Sequence, residues 1–304
     1  MNKTLALGTA QWGWTIDPKT AFQLFEHWLN AGENHFDTAS NYPINQNPAD
    51  FGAAAKILRE AVQAHGLNNL HLTLKVGAID NLRSPDNDLS PTRLLQLAEQ
   101  YRELFGDNAL TLMTHWDNRD DAAAIRGSFE GLLAAQQQFG IKIGFSGVKH
   151  PEIYATVNES YGFQPEIQCK HNLLHSDLPH YAPLFAQSNC QTFVYGINGG
   201  GIKLESGVPS PTLEARGGES EKIAALRQRL LEKLPEWNLA FVRPPLKNMN
   251  QIGLIYAEYQ AEVSGILLGP STSAQLLQTL DFCRNFEVFD YSDVYKSLQA
   301  QTSA

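Results

Sequence analysis

The feature that most constrains this chain is an alternation, kept from end to end, of short apolar runs with longer segments whose apolar residues recur at helical spacing. Eight runs read as strands: Leu5–Leu7, His35–Asp37, Leu70–Val76, Ala109–His115, Lys142–Ser146, Glu166–Cys169, Thr192–Tyr195 and Gly265–Leu268. The helices between them are punctuated. Asp17 and Pro18 open one whose face carries Ala21, Leu24, Phe25, Trp28 and Leu29, with Gly32 closing it. Ser90 and Pro91 open another, faced by Leu94, Leu97, Ala98, Tyr101 and Phe105 and closed by Gly106, and a third carries Ile125, Phe129, Leu132 and Leu133 before Gly140. Eight strand-then-helix units in 304 residues fit a closed parallel (β/α)8 barrel better than an open, doubly wound sheet. One domain over residues 1–304 is expected.

Composition narrows the function classes. Hydrophobic residues make up 43% and charged residues 18% of the chain, enough for a large core and too apolar for disorder. Basic residues number 23 against 32 acidic ones, a net charge of −9, which argues against tracking nucleic acid or an anionic membrane and favours small-molecule partners. The cysteines, Cys169, Cys190 and Cys283, are too few and scattered for a disulfide framework or thiolate metal site, as in a reducing compartment. With no export-like or membrane-spanning run, a cytoplasmic location is expected. Oligomeric state is not legible. The segment Ile197–Glu219 is rich in glycine and polar breakers and reads as a long loop after the seventh strand, on the face where barrels carry their sites.

In a barrel the C-terminal strand ends converge. Asp37 ends the second strand and Tyr42 follows it; Lys75 lies near the end of the third, and His115 ends the fourth. Each alone has an ordinary reading, as a turn cap, half-buried packing, a solvated cation or a satisfied core histidine. Together they resemble the aldo-keto reductase family. The resemblance is carried by Ala31-Gly32-Glu33-Asn34-His35-Phe36-Asp37-Thr38-Ala39-Ser40-Asn41-Tyr42, by Leu74-Lys75-Val76-Gly77, and by Leu112-Met113-Thr114-His115-Trp116-Asp117. Leu7–Gly13, Gly140–Ser146, Pro165–Gln168 with Asn172, and Leu268–Thr272 are similar too, so it spans nearly the whole chain.

The resemblance implies a (β/α)8 TIM barrel and an NAD(P)H-dependent reductase of aldehydes or ketones, sugar-derived ones among them, with Asp37, Tyr42, Lys75 and His115 as catalytic tetrad. The residue types suit that chemistry. A tyrosine with a pKa of about 10 is a poor proton donor unless perturbed, and a buried ammonium beside it lowers that value. Lys75 would supply the charge, Asp37 would hold Lys75, and His115 would orient the carbonyl oxygen. The hydride must come from the nicotinamide.

For the cofactor, the resemblance implies contacts from Ser146 and Gln168 to the carboxamide, a Tyr195 ring stacked on the nicotinamide, and Gly269, Ser271, Thr272 and Gln275 around the phosphates and adenine. Gly199, Gly200 and Gly201 fall where a loop would approach the pyrophosphate. Three positions depart from the family pattern. Gly147 replaces an Asn that bonds the carboxamide, Thr279 replaces a later Asn, and Ser271 stands where Arg or Lys pairs with the 2′-phosphate of NADP, so NADP preference over NAD is in doubt. These departures motivate an alternative, a non-catalytic dinucleotide-binding regulatory or partner protein on the same fold. A metal site from Cys169, His171, His175, Asp177 and His180 is the weaker reading, and no metal is expected. Substrate identity would be set by Ile79–Leu89, Trp116–Asp120 and the C-terminal tail, with Trp12, Trp14 and Trp116 as possible apolar walls.

Overall fold

The computed structural model describes residues 1–82, 84, 86–205, 211–214, 218, 220–239 and 243–302. Its strands are β1 (Thr4–Gly8), β2 (His35–Ala39), β3 (His71–Val76), β4 (Ala109–His115), β5 (Lys142–Ser146), β6 (Glu166–Asn172), β7 (His175–Ser176), β8 (Gln191–Tyr195) and β9 (Gly265–Leu268). Parallel pairing runs β5-β4-β3-β2-β1-β9-β8-β6, and β5 pairs with β6, closing eight strands into a barrel. The ring bears out the expected (β/α)8 barrel. The two-residue β7 is the exception, folding back antiparallel on the end of β6, which extends that strand three residues past its expected limit at Cys169.

The helices are α1 (Pro18–Asn30), α2 (Ala53–Ala64), α3 (Pro91–Phe105), α4 (Ala122–Phe139), α5 (Pro151–Asn158), α6 (Ala182–Gln187), α7 (Pro211–Glu214), α8 (Glu221–Leu239), α9 (Met249–Glu258), α10 (Ser273–Arg284) and α11 (Ser292–Thr302). The starts of α1 and α3 are those the sequence marks. Asp17 accepts from the Thr20 amide at 3.0 Å ahead of Pro18, and Ser90 does the same for Arg93 at 3.4 Å ahead of Pro91. Of the segment expected as a loop, residues 197–205 are irregular and Pro211–Glu214 form one helical turn, while 206–210, 215–217 and 219 lie outside the described residues.

Two layers of packing follow from strand alternation. Outward residues such as Leu72, Leu74, Ile143, Ile167 and Val194 join the helices in one large core. Trp28 of α1 is fully buried in it, worth roughly 1.5–3 kcal/mol of transfer free energy, and its indole donates to the His35 carbonyl at 3.1 Å, fixing α1 on β2. Helices α3 and α4 approach so closely that a Cβ on Gly131 would lie 2.6 Å from Pro91 Cα. The barrel interior differs in character. Its apolar cluster is small, Ala6, Phe193 and Leu267 with Tyr195 against it. Beside it the inward positions of β2, β3 and β6 are polar and buried: His35, Asp37, Thr73, Lys75, Glu166 and Gln168. Register sets Asp37 beside Thr73, Ala39 beside Lys75, and Ser146 beside Gln168, so this polar column rises toward the C-terminal mouth.

Candidate active site

Lys75 and Asp37 form an ion pair inside the barrel, Nζ to Oδ1 2.5 Å, with side chains only 3% and 2% exposed. Gln168 closes the arrangement, since its Oε1 accepts from Lys75 Nζ at 3.1 Å and its Nε2 donates to Asp37 Oδ2 at 2.8 Å. Above the pair, Lys75 Nζ lies 5.0 Å from the centroid of the buried Tyr42 ring. Tyr42 meets His115 edge to face with ring centroids 6.0 Å apart. The four residues expected from strand ends therefore share one buried group.

Electrostatics assigns each a protonation state. Burial works against the Lys75 ammonium, but the fields and hydrogen bonds of Asp37 and Tyr42 outweigh it, so Lys75 stays charged well above its ordinary pKa. Burial raises the Asp37 pKa, and the donors Lys75 and Gln168 oppose that rise. His115 is pushed well below 6.5, first by burial and then by the Lys75 charge, so its imidazole is neutral at physiological pH. Tyr42 departs from the simple expectation. Lys75 does pull its pKa down, but burial is the larger effect and Asp37 adds to it, so the net displacement is upward. The phenol therefore keeps its proton at neutral pH, beside an ammonium whose charge opposes the rise.

The loop after β4 is braced below the surface. Asp117 is buried and accepts from Tyr154 Oη at 2.5 Å and from Arg119 Nη2 at 2.7 Å. Burial opposes its ionisation, yet these donors hold its pKa below the ordinary value. Trp116, just before it, is left-handed at φ 57°, its amide donating to the Ser146 carbonyl at 3.0 Å. The Trp116 ring packs against His115 with centroids 4.5 Å apart. It also fills the space beside Gly147, where a Cβ would lie 2.7 Å from Trp116 Cδ1. Trp12, by contrast, is a core residue, 1% exposed, and Trp14 is exposed.

Sequence reasoning missed Asp117 as an anchor, and it missed Glu166, His35 and Thr73 as members of the interior column. The signal for Glu166 was its spacing of two from Gln168, which gives both one face of a strand.

The family profile for the aldo/keto reductase family matches residues 4–300. The chain belongs to that family. Family membership implies nicotinamide-dependent reduction of small carbonyl compounds. No curated protein matches the chain significantly.

The residues at the mouth fit the nicotinamide cofactor that this aldo/keto reductase family uses. Buried polar atoms without a partner occur at three strand ends there, Thr9 Oγ1 after β1, Asn41 Oδ1 and Nδ2 after β2, and His115 Nδ1 on β4, as expected where a polar ligand completes a site. Ser146 is buried at the end of β5, and Tyr195 is half-buried at the end of β8. Gly199, Gly200 and Gly201 all take positive φ, at 59°, 87° and 104°, and a Cβ on Gly269 would meet nothing within 4 Å, leaving the approach to α10 open. Thr272 caps α10 by accepting from the Gln275 amide at 3.2 Å, and the Gln275 side chain accepts from the Ser271 amide at 2.9 Å. Gln275 is thus engaged within the chain, as is Gln168. Thr279 donates to Asn250 Oδ1 at 3.0 Å.

The candidate metal ligands diverge. His171 Nδ1 pairs with Ser176 Oγ at 2.8 Å and its ring stacks on Tyr256, His175 pairs with Asp177 at 2.5 Å, and His180 reaches the Val148 carbonyl at 3.2 Å. Among the described residues no group of three or more His, Cys, Asp or Glu is placed to hold a metal, and no helix is long and apolar enough to cross a membrane.

Proposed function

We propose that this chain reduces an aldehyde or ketone to an alcohol, with Tyr42 as general acid, in the cytoplasm. The observation that carries the reading is the Asp37–Lys75 ion pair lying beneath a protonated Tyr42 and a neutral His115. Bound NAD(P)H supplies the hydride. Tyr42 and His115 together hold the carbonyl oxygen, His115 through a ring N–H and Tyr42 through its hydroxyl. As negative charge gathers on that oxygen, Tyr42 delivers its proton, and the Lys75 charge stabilises the resulting tyrosinate. Asp37 keeps Lys75 charged and in place. Trp116 walls the oxygen's approach, so an apolar flank on the substrate is favoured. Ser146 and Tyr195 would hold the nicotinamide ring, and the open end of α10 with Ser271 and Thr272 would receive the phosphates.

The test is Tyr42→Phe, assayed by cofactor oxidation against a panel of aldehydes, ketoses and ketones. Turnover should fall by roughly 10²–10⁴ with dinucleotide binding nearly unchanged. A variant as active as the parent sinks the assignment, and a parent that binds dinucleotide but reduces nothing favours the non-catalytic alternative.

A further inference from the structure

Below the tetrad the barrel encloses a carboxyl group that the reaction as described does not use. Glu166 is 6% exposed, on the inner face of β6, two residues before Gln168. Its Oε1 accepts from Thr73 Oγ1 at 3.2 Å and from Gln168 Nε2 at 3.4 Å. Thr73 in turn meets His35 Nε2 at 3.0 Å. The same Gln168 nitrogen donates to Asp37 at 2.8 Å, so one amide group is shared between two buried acids. The result is a continuous chain of polar contacts from His35 through Thr73, Glu166 and Gln168 to the Asp37–Lys75 pair, ending under Tyr42.

The groups facing Glu166 define its electrostatic environment. β2 presents His35 and Asp37, and β3 presents Thr73 and Lys75. β5 contributes the more distant field of Lys142. β8 contributes Phe193, whose ring meets His35 edge to face at 5.0 Å. Among the described residues Glu166 has no ion-pair partner, because the buried ammonium is bound to Asp37. An unpaired acid at that depth keeps its proton until well above the usual carboxylate range. Burial first, and then the Asp37 charge, raise Glu166 to about 7.

We propose that Glu166 is a positioning residue for proton delivery, acting through Gln168 and Asp37 to set how readily Tyr42 gives up its proton. With Glu166 neutral, Asp37 is the only anion beside Lys75, and the ammonium's field on Tyr42 is at its strongest. Ionisation of Glu166 places a second negative charge behind Lys75. It also draws the Gln168 amide away from Asp37. Both changes leave the tyrosinate less stabilised, so Tyr42 becomes the weaker acid and reduction slows as the pH rises through neutrality. The inference rests on the reading of Tyr42 as proton donor.

Two measurements on Glu166→Gln test it, one with turnover and one without. Gln keeps an acceptor for Thr73 and Gln168 but never ionises. In the parent, kcat for carbonyl reduction at saturating NADH or NADPH should decline with a midpoint near 7. The variant should lack that limb and exceed the parent about three- to tenfold at about pH 8. Independently of turnover, the alkaline ultraviolet difference spectrum, with Tyr42→Phe subtracted to isolate Tyr42, should show its ionisation at lower pH in the variant. A folded variant with the parental pH limb and parental Tyr42 midpoint overturns the proposal. If the substitution prevents folding, infrared difference spectra of the parent decide. A buried carboxylic C=O band must disappear between about pH 6 and about pH 8, and its absence overturns the proposal. If the parent reduces no carbonyl, the tetrad reading has failed, whereas Glu166's influence on Tyr42 is still read from the two spectra.

Discussion

Gln168 Nε2 donates to Asp37 Oδ2 at 2.8 Å while the Gln168 Oε1 accepts from Lys75 at 3.1 Å, so β6 holds both members of an ion pair presented by β2 and β3. The amide does the work of a brace across the barrel. Its donors are committed to Asp37 and Glu166, leaving one oxygen lone pair for anything else.

This commitment separates two roles for Gln168. Gln168→Met keeps the length and removes all three bonds, to Lys75, Asp37 and Glu166, leaving Asp37 with Lys75 alone. The unfolding free energy should fall by about 1–3 kcal/mol in urea titrations, and kcat should fall much more than dinucleotide affinity. A variant that loses only dinucleotide affinity would make Gln168 a carboxamide contact and nothing more.

A second prediction concerns Gly147 and Trp116. Gly147 has φ 64°, a conformation asparagine tolerates, so Gly147→Asn tests space rather than backbone strain. Its Cβ would lie 2.7 Å from Trp116 Cδ1, and the indole is itself packed on His115. Displacing the indole should loosen His115 and lower kcat/KM by about tenfold or more, with about 1–3 kcal/mol lost in stability. In a Trp116→Ala background the same substitution should be nearly neutral. If Gly147→Asn is equally harmful with and without the indole, the steric coupling is not the cause.

How much of this was legible in the sequence depends on what each residue's role requires. The barrel strands needed only alternation and turn residues, and Ala109–His115, Lys142–Ser146 and Gly265–Leu268 have the limits read from them. β6 runs longer than its apolar run because Lys170 and Asn172 are held by register with β8 and by the β7 hairpin, pairing that a single strand cannot reveal. Helix α8 is masked by Pro235 within it and by the breaker-rich segment before it. The four residues were readable through their family-like segments rather than as strand ends, for only His115 ends a strand: β2 runs on past the expected limit at Asp37 to Ala39, Lys75 precedes the last residue of β3, and Tyr42 lies in the turn after β2. Glu166 was not, since a glutamate opening a strand after Pro165 reads as solvated, and only ring closure makes that face an interior. Tyr42's upward pKa is likewise a property of burial rather than of residue type.

A third prediction follows for stability against pH. Glu166 is raised from its ordinary 4.5 to about 7 in the folded protein, so its stabilising contribution is full below 4.5 and is lost as the pH rises through about 7. His35 runs the other way. Burial first, with His71 and Lys142, lowers it from 6.5 to about 4, so its contribution is present above 6.5 and lost as the pH falls through about 4. Between these limits the two slopes oppose each other. Glu166→Gln removes one of them, so the variant's stability relative to the parent should grow from about pH 5 to about pH 8, by on the order of 3 kcal/mol. Urea unfolding at the two pH values measures it, and a constant difference would show that Glu166 titrates normally.

The last prediction concerns the choice of dinucleotide. Just before α10 the Ser271 amide donates to the Gln275 side chain, and the family resemblance puts the Ser271 hydroxyl where a 2′-phosphate would seek a cation. Arg284 sits at the opposite end of the same helix, 3.8 Å from Asp281, too far along the axis to reach the first turn. The parent should therefore bind NADP no better than NAD. Ser271→Arg supplies the planar, permanently charged fork that phosphate favours, and such a charge-assisted contact is worth about 1.5–3 kcal/mol. NADP affinity relative to NAD should rise roughly 10–150-fold in titrations of both dinucleotides, and the rise should shrink with added salt because the site is exposed. A parent that already binds NADP a hundredfold tighter than NAD would mean that a different cation serves the 2′-phosphate, and Ser271→Arg would then add little.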